Sequence, residues 1–218
     1  MKNIRVWFRK TDTAKYISHL DLSRCMERAI HKAKLPFWYT EGFNPHVFLT
    51  ITMPISLGFT GMKESMDVKL LNDDMPYQEI IDKLNSGLPK NVRVYNITEP
   101  VMRPGAIAFS EYEILVRTKN TALVSSRFLE LLSDESIMVN KKTKKGIVEV
   151  DIKEDFKNMT IEPVGPSILK IHVILKSSNS GSTNPRLIFE AYISKYGEEL
   201  YPEITRINCF DINMNEYM

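Results

Sequence analysis

Lys2-Asn3-Ile4-Arg5-Val6-Trp7-Phe8-Arg9, followed after a short gap by Ser18-His19-Leu20-Asp21-Leu22-Ser23-Arg24-Cys25-Met26, sets the reading of the whole chain. Ile4, Val6 and Phe8 alternate with Arg5, Trp7 and Arg9, the two-residue period of a half-buried strand. Tyr16-Ile17 is expected to continue or end that strand. Ser18 then stands as a helix N-cap, with Asp21 three residues on in the manner of a capping box. Leu22, Cys25, Met26, Ala29, Ile30 and Ala33 recur at spacings of three and four, which predicts an amphipathic helix over 19–34. Leu35-Pro36 ends it.

Outward from this strand–helix pair the same alphabet continues. Residues 36–46 form a loop rich in aromatics, Gly and Pro. Phe48 to Leu57 reads as a second strand, bent at Pro54, and Gly58 to Gly61 as a turn. Ser65 to Leu71 reads as a third strand, Pro76 to Leu84 as a second helix and Val92 to Ile97 as a fourth strand. The order β-α-β-β-α-β is that of the ferredoxin-like unit, four antiparallel strands with two helices on one face. Pro100, Pro104 and Gly105 mark a crossing segment. Beyond it come a strand at Tyr112–Val116, a helix at Ala122–Leu132 and a hairpin of Met138–Asn140 with Ile147–Ile152. A short strand at Met159–Glu162, a strand at Ile168–Leu175, a helix at Pro185–Tyr196 and a strand at Ile204–Ile212 complete the pattern. The expectation is an α+β chain of two tandem ferredoxin-like (βαββαβ-type) halves with antiparallel sheets, residues 1–104 and 105–218. The two halves share an order of elements and no residue-level identity.

The 218 residues are 43% apolar and 26% charged, the composition of an ordinary globular protein. Disorder, collagen-like repeats and a long coiled coil are excluded on that ground. No run of about 18 apolar residues is present, so no transmembrane helix and no membrane partner are expected. The N-terminus carries no apolar signal region. Two cysteines, Cys25 and Cys209, are too few for a disulfide scaffold or a cysteine-only metal site, and a reducing cytoplasmic setting fits best. The net charge is only +2, yet residues 1–40 hold nine basic residues against three acidic ones. A local surplus of six positive charges points to a specific anionic partner or, more plainly, to one solvated basic face.

Chemistry-bearing residues concentrate between Ser18 and His46. Arg24, Arg28 and Lys32 recur every four residues on the first helix, so three cations stack along one face about 6 Å apart. Phosphate oxygens would offset their mutual repulsion, and Arg can hold them bidentately. Phe37, Trp38, Tyr39 and Phe43 put four aromatics within seven residues. Exposed beside cations, such rings can stack on nucleobases; buried, they anchor a loop. Gly42 permits a positive φ, and Asn44-Pro45 is a turn signal that would fix the direction of His46. His19 and His46 are candidates for a general acid–base pair, since imidazole titrates near neutrality. Lys141, Lys142, Lys144 and Lys145 form a basic hairpin tip, a solvated turn or the extension of a basic groove. No closely spaced Cys or His pair, phosphate loop, nucleophile elbow or cysteine triad is present. The chain is expected to bind no metal or cofactor of its own.

Tyr16-Ile17-Ser18-His19-Leu20-Asp21-Leu22, with Arg24, Arg28-Ala29, Leu35-Pro36 and Tyr39-Thr40-Glu41-Gly42-Phe43-Asn44-Pro45-His46, resembles the uncharacterised radical-SAM-linked family. Its members are encoded beside, or fused to, a B12-binding-type radical SAM protein. Pro54, Leu57-Gly58, Glu64 and Asp67 continue the likeness, and Lys144-Lys145-Gly146, Val150-Asp151 and Asn184-Pro185 fit it more loosely. Where the family commonly has a Lys soon after Pro-His, this chain has Val47-Phe48. The resemblance implies a radical SAM partner that carries the iron–sulfur cluster and SAM. It implies no activity. With the basic helix it suggests an accessory binding protein that presents RNA, tRNA-like, or another phosphorylated substrate to that partner. Arg24, Arg28, Lys32, Lys144 and Lys145 would then hold phosphates, and Tyr39, Phe43 and Asn44 would line the site. An RNA-processing or RNA-modifying enzyme using His19 and His46, and a pure protein–protein adaptor, remain the alternatives.

Overall fold

The computed structural model describes residues 1–72, 74–143, 146–178 and 181–218, the side chains of 142 and 143 excepted. The chain mixes helices with antiparallel strands and divides into two compact units, residues 1–107 with 215–218, and residues 108–214. Among the described residues no helix is long and apolar enough to cross a membrane.

The first unit runs β1 (Lys2–Lys10), α1 (His19–Ala33), β2 (Leu49–Ile51), β3 (Thr60–Leu70), α2 (Tyr77–Gly87) and β4 (Val92–Thr98). Its strands lie in the order β2-β3-β1-β4, every neighbour antiparallel. Ile4 pairs with Val68 and Val6 with Met66 across one edge of β1, and Phe8 pairs with Val94 across the other. These side chains face one way and meet Leu22, Met26, Ala29 and Ile30 of α1 and Ile80 and Leu84 of α2. Each large side chain so buried stabilises by about 1.5–3 kcal/mol. The two helices also touch: a Cβ on Gly87 would lie 3.0 Å from the Ala29 Cα and 3.2 Å from its Cβ. Glycine is therefore what lets α2 end against α1.

Two local expectations need correction. Asp12–Tyr16 is a 3₁₀ turn rather than a continuation of β1; the amide of Thr11 is already taken by the Asn91 carbonyl, and the turn closes locally through Ala14 and Thr11. The expected strand Phe48–Leu57 is reduced to Leu49–Ile51. Thr52 makes the last ladder bond, to the Ser65 carbonyl at 3.0 Å, and Pro54 has no amide with which to continue it.

The helix-free face of β1 holds a larger surprise. Arg5, Trp7 and Arg9 alternate with the apolar residues as the outer side of a half-buried strand, yet Arg5 and Trp7 are buried and, of these three, Arg9 alone is exposed. Arg5 donates to both carboxylate oxygens of Asp67, at 2.7 and 2.8 Å, and to the Met102 carbonyl at 2.6 Å. Its Nη1 has no hydrogen-bond partner, but its guanidinium lies 4.4 Å from the ring centroid of Tyr217. Trp7 Nε1 donates to Thr98 Oγ1 and the indole meets Tyr217 edge-on. Residues 215–218 and the 99–107 segment cover this face together, joined by the Met102 amide donating to the Met218 carbonyl at 2.9 Å.

The second unit runs β5 (Phe109–Arg117), α3 (Thr121–Ser133), a hairpin of β6 (Met138–Thr143) and β7 (Gly146–Asp151), and a one-turn α4 (Lys153–Phe156). Then come β8 (Thr160–Pro163), β9 (Ile168–Ser178), β10 (Gly181–Ser182), α5 (Leu187–Tyr196) and β11 (Pro202–Phe210). Its main sheet has the order β11-β5-β9, with β8 and β10 both pairing along the far edge of β9. Ile114, Val116, Ile171 and Val173 alternate inward, while Phe128, Phe189 and Tyr192 on α3 and α5 stack together at ring distances of 5.6 and 4.7 Å. The hairpin forms a separate two-stranded sheet with mostly exposed residues.

Candidate functional site

The polar face of α1 follows from its burial. With Leu22, Met26, Ala29 and Ile30 turned inward, Arg24, Arg28 and Lys32 project into solvent. Ser18 Oγ caps the helix by accepting from the Asp21 amide at 3.2 Å, and Lys34 closes it in the left-handed conformation. Arg24 reaches Asp21 at 3.4 Å, but both side chains are more than 60% exposed, so the pair is weak. Arg28 and Lys32 enter no ion pair among the described residues. The exposed basic surplus is thus smaller than the sequence implies, since Arg5 and Lys10 lie inside. Arg28 also bears on Cys25, partly countering the burial that pushes that thiol up. Cys25 is accordingly not set up as a thiolate nucleophile.

The loop that follows is built on the edge of the sheet. Leu71 N donates to the Pro36 carbonyl and Trp38 N to the Lys69 carbonyl, so residues 36–38 lie along β3. Leu49–Ile51 return along the same edge. Between them the chain leaves and comes back through a stem in which Tyr39 bridges Val47, Thr40 N donates to the His46 carbonyl at 2.8 Å and Phe48 N to the Trp38 carbonyl at 3.1 Å. Thr40 Oγ1 lies 3.0 Å from His46 Nδ1 and accepts from the His46 amide, and the Asn44 carbonyl lies 3.2 Å from the same Nδ1. Gly42 sits at φ +127°, which a side chain would resist although a Cβ there would meet open space among the described residues. The outcome is a closed seven-residue loop that holds Phe43 fully exposed at its tip. An unsupported aromatic in that position contributes nothing to the core. Phe37, by contrast, is buried and anchors the loop.

Tyr39 ties loop to helix. Its hydroxyl lies 3.1 Å from His31 Nδ1, and the rings meet edge-on at 5.2 Å. Burial pushes the Tyr39 hydroxyl up, so it stays protonated at neutral pH. The His31–Tyr39 contact thus joins the later turns of α1, which carry Arg28 and Lys32, to the stem of the loop that carries Phe43 and Asn44. His19 is exposed on the first turn of α1 and makes no hydrogen bond among the described residues, while His46 is held through Nδ1 by its own loop. No hydrogen bond connects the two imidazoles. Lys144 and Lys145 lie outside the described residues; their neighbour Lys141 donates to the Ser182 carbonyl within its own unit. Among the described residues no three His, Cys, Asp or Glu side chains gather as metal ligands would.

Sequence reasoning missed a cavity of about 420 Å³ on the helix-free face of the first unit's sheet. Phe48, Lys69, Asp67 and the 100–104 segment line it. Lys69 Nζ lies 4.7 Å from the Trp38 ring centroid and 4.9 Å from that of Phe48, so the loop stem and the cavity share an aromatic–cation wall. The only local signal for it was Asp67 facing a strand position occupied by Arg5.

Comparison with solved structures finds similarity to a protein of unknown function from Galdieria sulphuraria, at 9% identity and a TM-score of 0.27. A candidate glycine cleavage system transcriptional repressor is also similar, at 8% identity and a TM-score of 0.25. In each case 94% of this chain and 98% of the other are covered. Neither likeness is close enough to bear on fold or activity. No functionally curated protein matches the chain. A family model does, over residues 3–185, a span that takes in α1, the Phe43 loop and the cavity, and the chain belongs to that family, described as an uncharacterised protein conserved in bacteria (DUF2344).

Proposed function

We propose that this protein is a non-catalytic, RNA-binding accessory protein that works in the cytoplasm and presents RNA, tRNA-like, to a radical SAM enzyme. The observation that carries the RNA part is Phe43, fully exposed on a closed loop that the His31–Tyr39 contact joins to the unpaired cations Arg28 and Lys32. A ring free to stack, beside cations free to take phosphate, is the arrangement by which single-stranded nucleic acid is held without metal or nucleophile. The radical SAM part rests on the Ser18–Asp21 and Gly42–His46 motifs and would supply the cluster and SAM from the partner chain. We also read each unit as ferredoxin-like. The order β2-β3-β1-β4 in the first supports this, as does β8-β9-β5-β11 in the second, where the hairpin and α4 would be an insertion after α3.

Fluorescence anisotropy of a labelled tRNA transcript across a salt series tests the reading. Each phosphate contact contributes about 0.7–0.9 to the slope of log K against log salt, so Arg28→Gln and Lys32→Gln should each flatten it by about that amount. Phe43→Ala should weaken binding by about 1–3 kcal/mol and leave the slope unchanged. No RNA binding at low salt refutes the proposal. Salt-resistant capture of the radical SAM chain, lost on Phe43→Ala and without RNA affinity, would replace it with a protein adaptor.

A further inference from the structure

We propose that the cavity on the helix-free face of the first unit is a binding site for a small planar aromatic anion, up to a mononucleotide in size. Its volume of about 420 Å³ falls within the ~300–1,000 Å³ typical of small-molecule sites. Phe48, Pro100, Val101 and Met102 supply the apolar part of its lining. A planar ring can stack on an aromatic lining residue such as Phe48.

Charge decides the rest. Lys69 and Arg103 both line the cavity, and neither enters an ion pair among the described residues. The carboxylate there, Asp67, is already held by Arg5 through two short bonds and brings no unmatched negative charge. Two cations without a carboxylate partner among the described residues therefore line the space. A neutral ligand would strip water from them and return nothing, whereas an anion would pair with them. Thr50 and Asn3, also in the lining, add hydrogen-bonding groups for ring substituents.

The site is also shaped before a ligand arrives. Arg5 reaches through the sheet face to the Met102 carbonyl, and the Met102 amide donates to Met218, so the 100–104 wall is pinned from both sides. Lys69 is held by the Trp38 and Phe48 rings. A preformed site loses little ordering entropy on binding.

The probe is 5′-AMP, titrated into the full chain and read by amide chemical shifts, beside adenosine, which lacks the anion, and inorganic phosphate, which lacks the ring. AMP should bind at least about tenfold more tightly than either and shift Phe48, Val68 and Met102. Lys69→Gln should lower AMP affinity about tenfold, and Phe48→Leu, which keeps an apolar side chain and removes the ring, several-fold. Arg103→Gln, an exposed position, provides the charge test again if Lys69→Gln disturbs folding. No shift with about 10 mM AMP, well above a weak Kd of ~1 mM, overturns the proposal. So does AMP affinity indifferent to all three substitutions.

Discussion

Asp67→Ala removes the carboxylate that Arg5 pairs with and leaves its guanidinium inside the protein. Arg5 is wholly buried, and the Asp67 side chain is 17% exposed. Two charge-assisted bonds disappear, at 2.7 and 2.8 Å, and only the Met102 carbonyl and the face of Tyr217 remain. Breaking a buried pair from one side costs about 3–5 kcal/mol, because the surviving charge is left without a counterion or water. We expect the lower half of that range, since the carbonyl and the ring stay in place. Asp67→Asn, which keeps one acceptor, should cost less. Arg5→Met with Asp67→Leu should recover most of the loss, because burying neither charge avoids the desolvation altogether. Both tryptophans, Trp7 and Trp38, lie in the first unit, so intrinsic fluorescence in a urea titration follows that unit alone. A loss of about 3 kcal/mol corresponds to a fall in melting temperature of roughly 10–20 °C for a domain of this size. If Asp67→Ala costs under about 1 kcal/mol, or the double variant is worse than the single, the ion pair is not what organises this face, on the ranges used above.

Gly87→Ala drives a methyl against Ala29 and should cost about 1–2 kcal/mol despite alanine's better helix propensity, seen as a lower urea midpoint by tryptophan fluorescence. Ser18→Ala removes the cap of α1 and should cost about 1 kcal/mol in the same titration. The Asp151 carboxyl is held below the usual carboxylate range, chiefly by the Lys153 amide and then by that of Ile137. Its contribution is therefore present above the ordinary Asp pKa and is lost as pH falls through and below it. Asp151→Asn should flatten the acid side of the second unit's stability profile, followed by NMR since that unit has no tryptophan.

What could be read from sequence was what lies within one turn or one strand. The Ser18 cap and the three-and-four spacing of α1 placed that helix to within a residue, because both are local. The aromatic loop was legible as a loop, and its alternative roles were separable only once the ladder bonds of residues 36–48 showed Phe37 facing in and Phe43 facing out. Arg5 and Trp7 were misread for a physical reason. Their partners, Met102 and Tyr217, are supplied from far along the chain, and no period-two pattern anticipates a cover that arrives from elsewhere. The cavity was invisible for the same cause, since the 100–104 wall exists only when Arg5 and Met218 hold it.

Residues 215–218 belong to the first unit although 107 residues of the second are made before them. At roughly 5–20 residues per second, a ribosome reaches them some 5–20 s after β4 and the 99–107 segment have been completed. During that interval Trp7 and the Arg5–Asp67 pair lack their Tyr217 lid, and the first unit waits, half closed, on the synthesis of its neighbour. Completion of the first unit is thereby coupled to translation of residues 108–218.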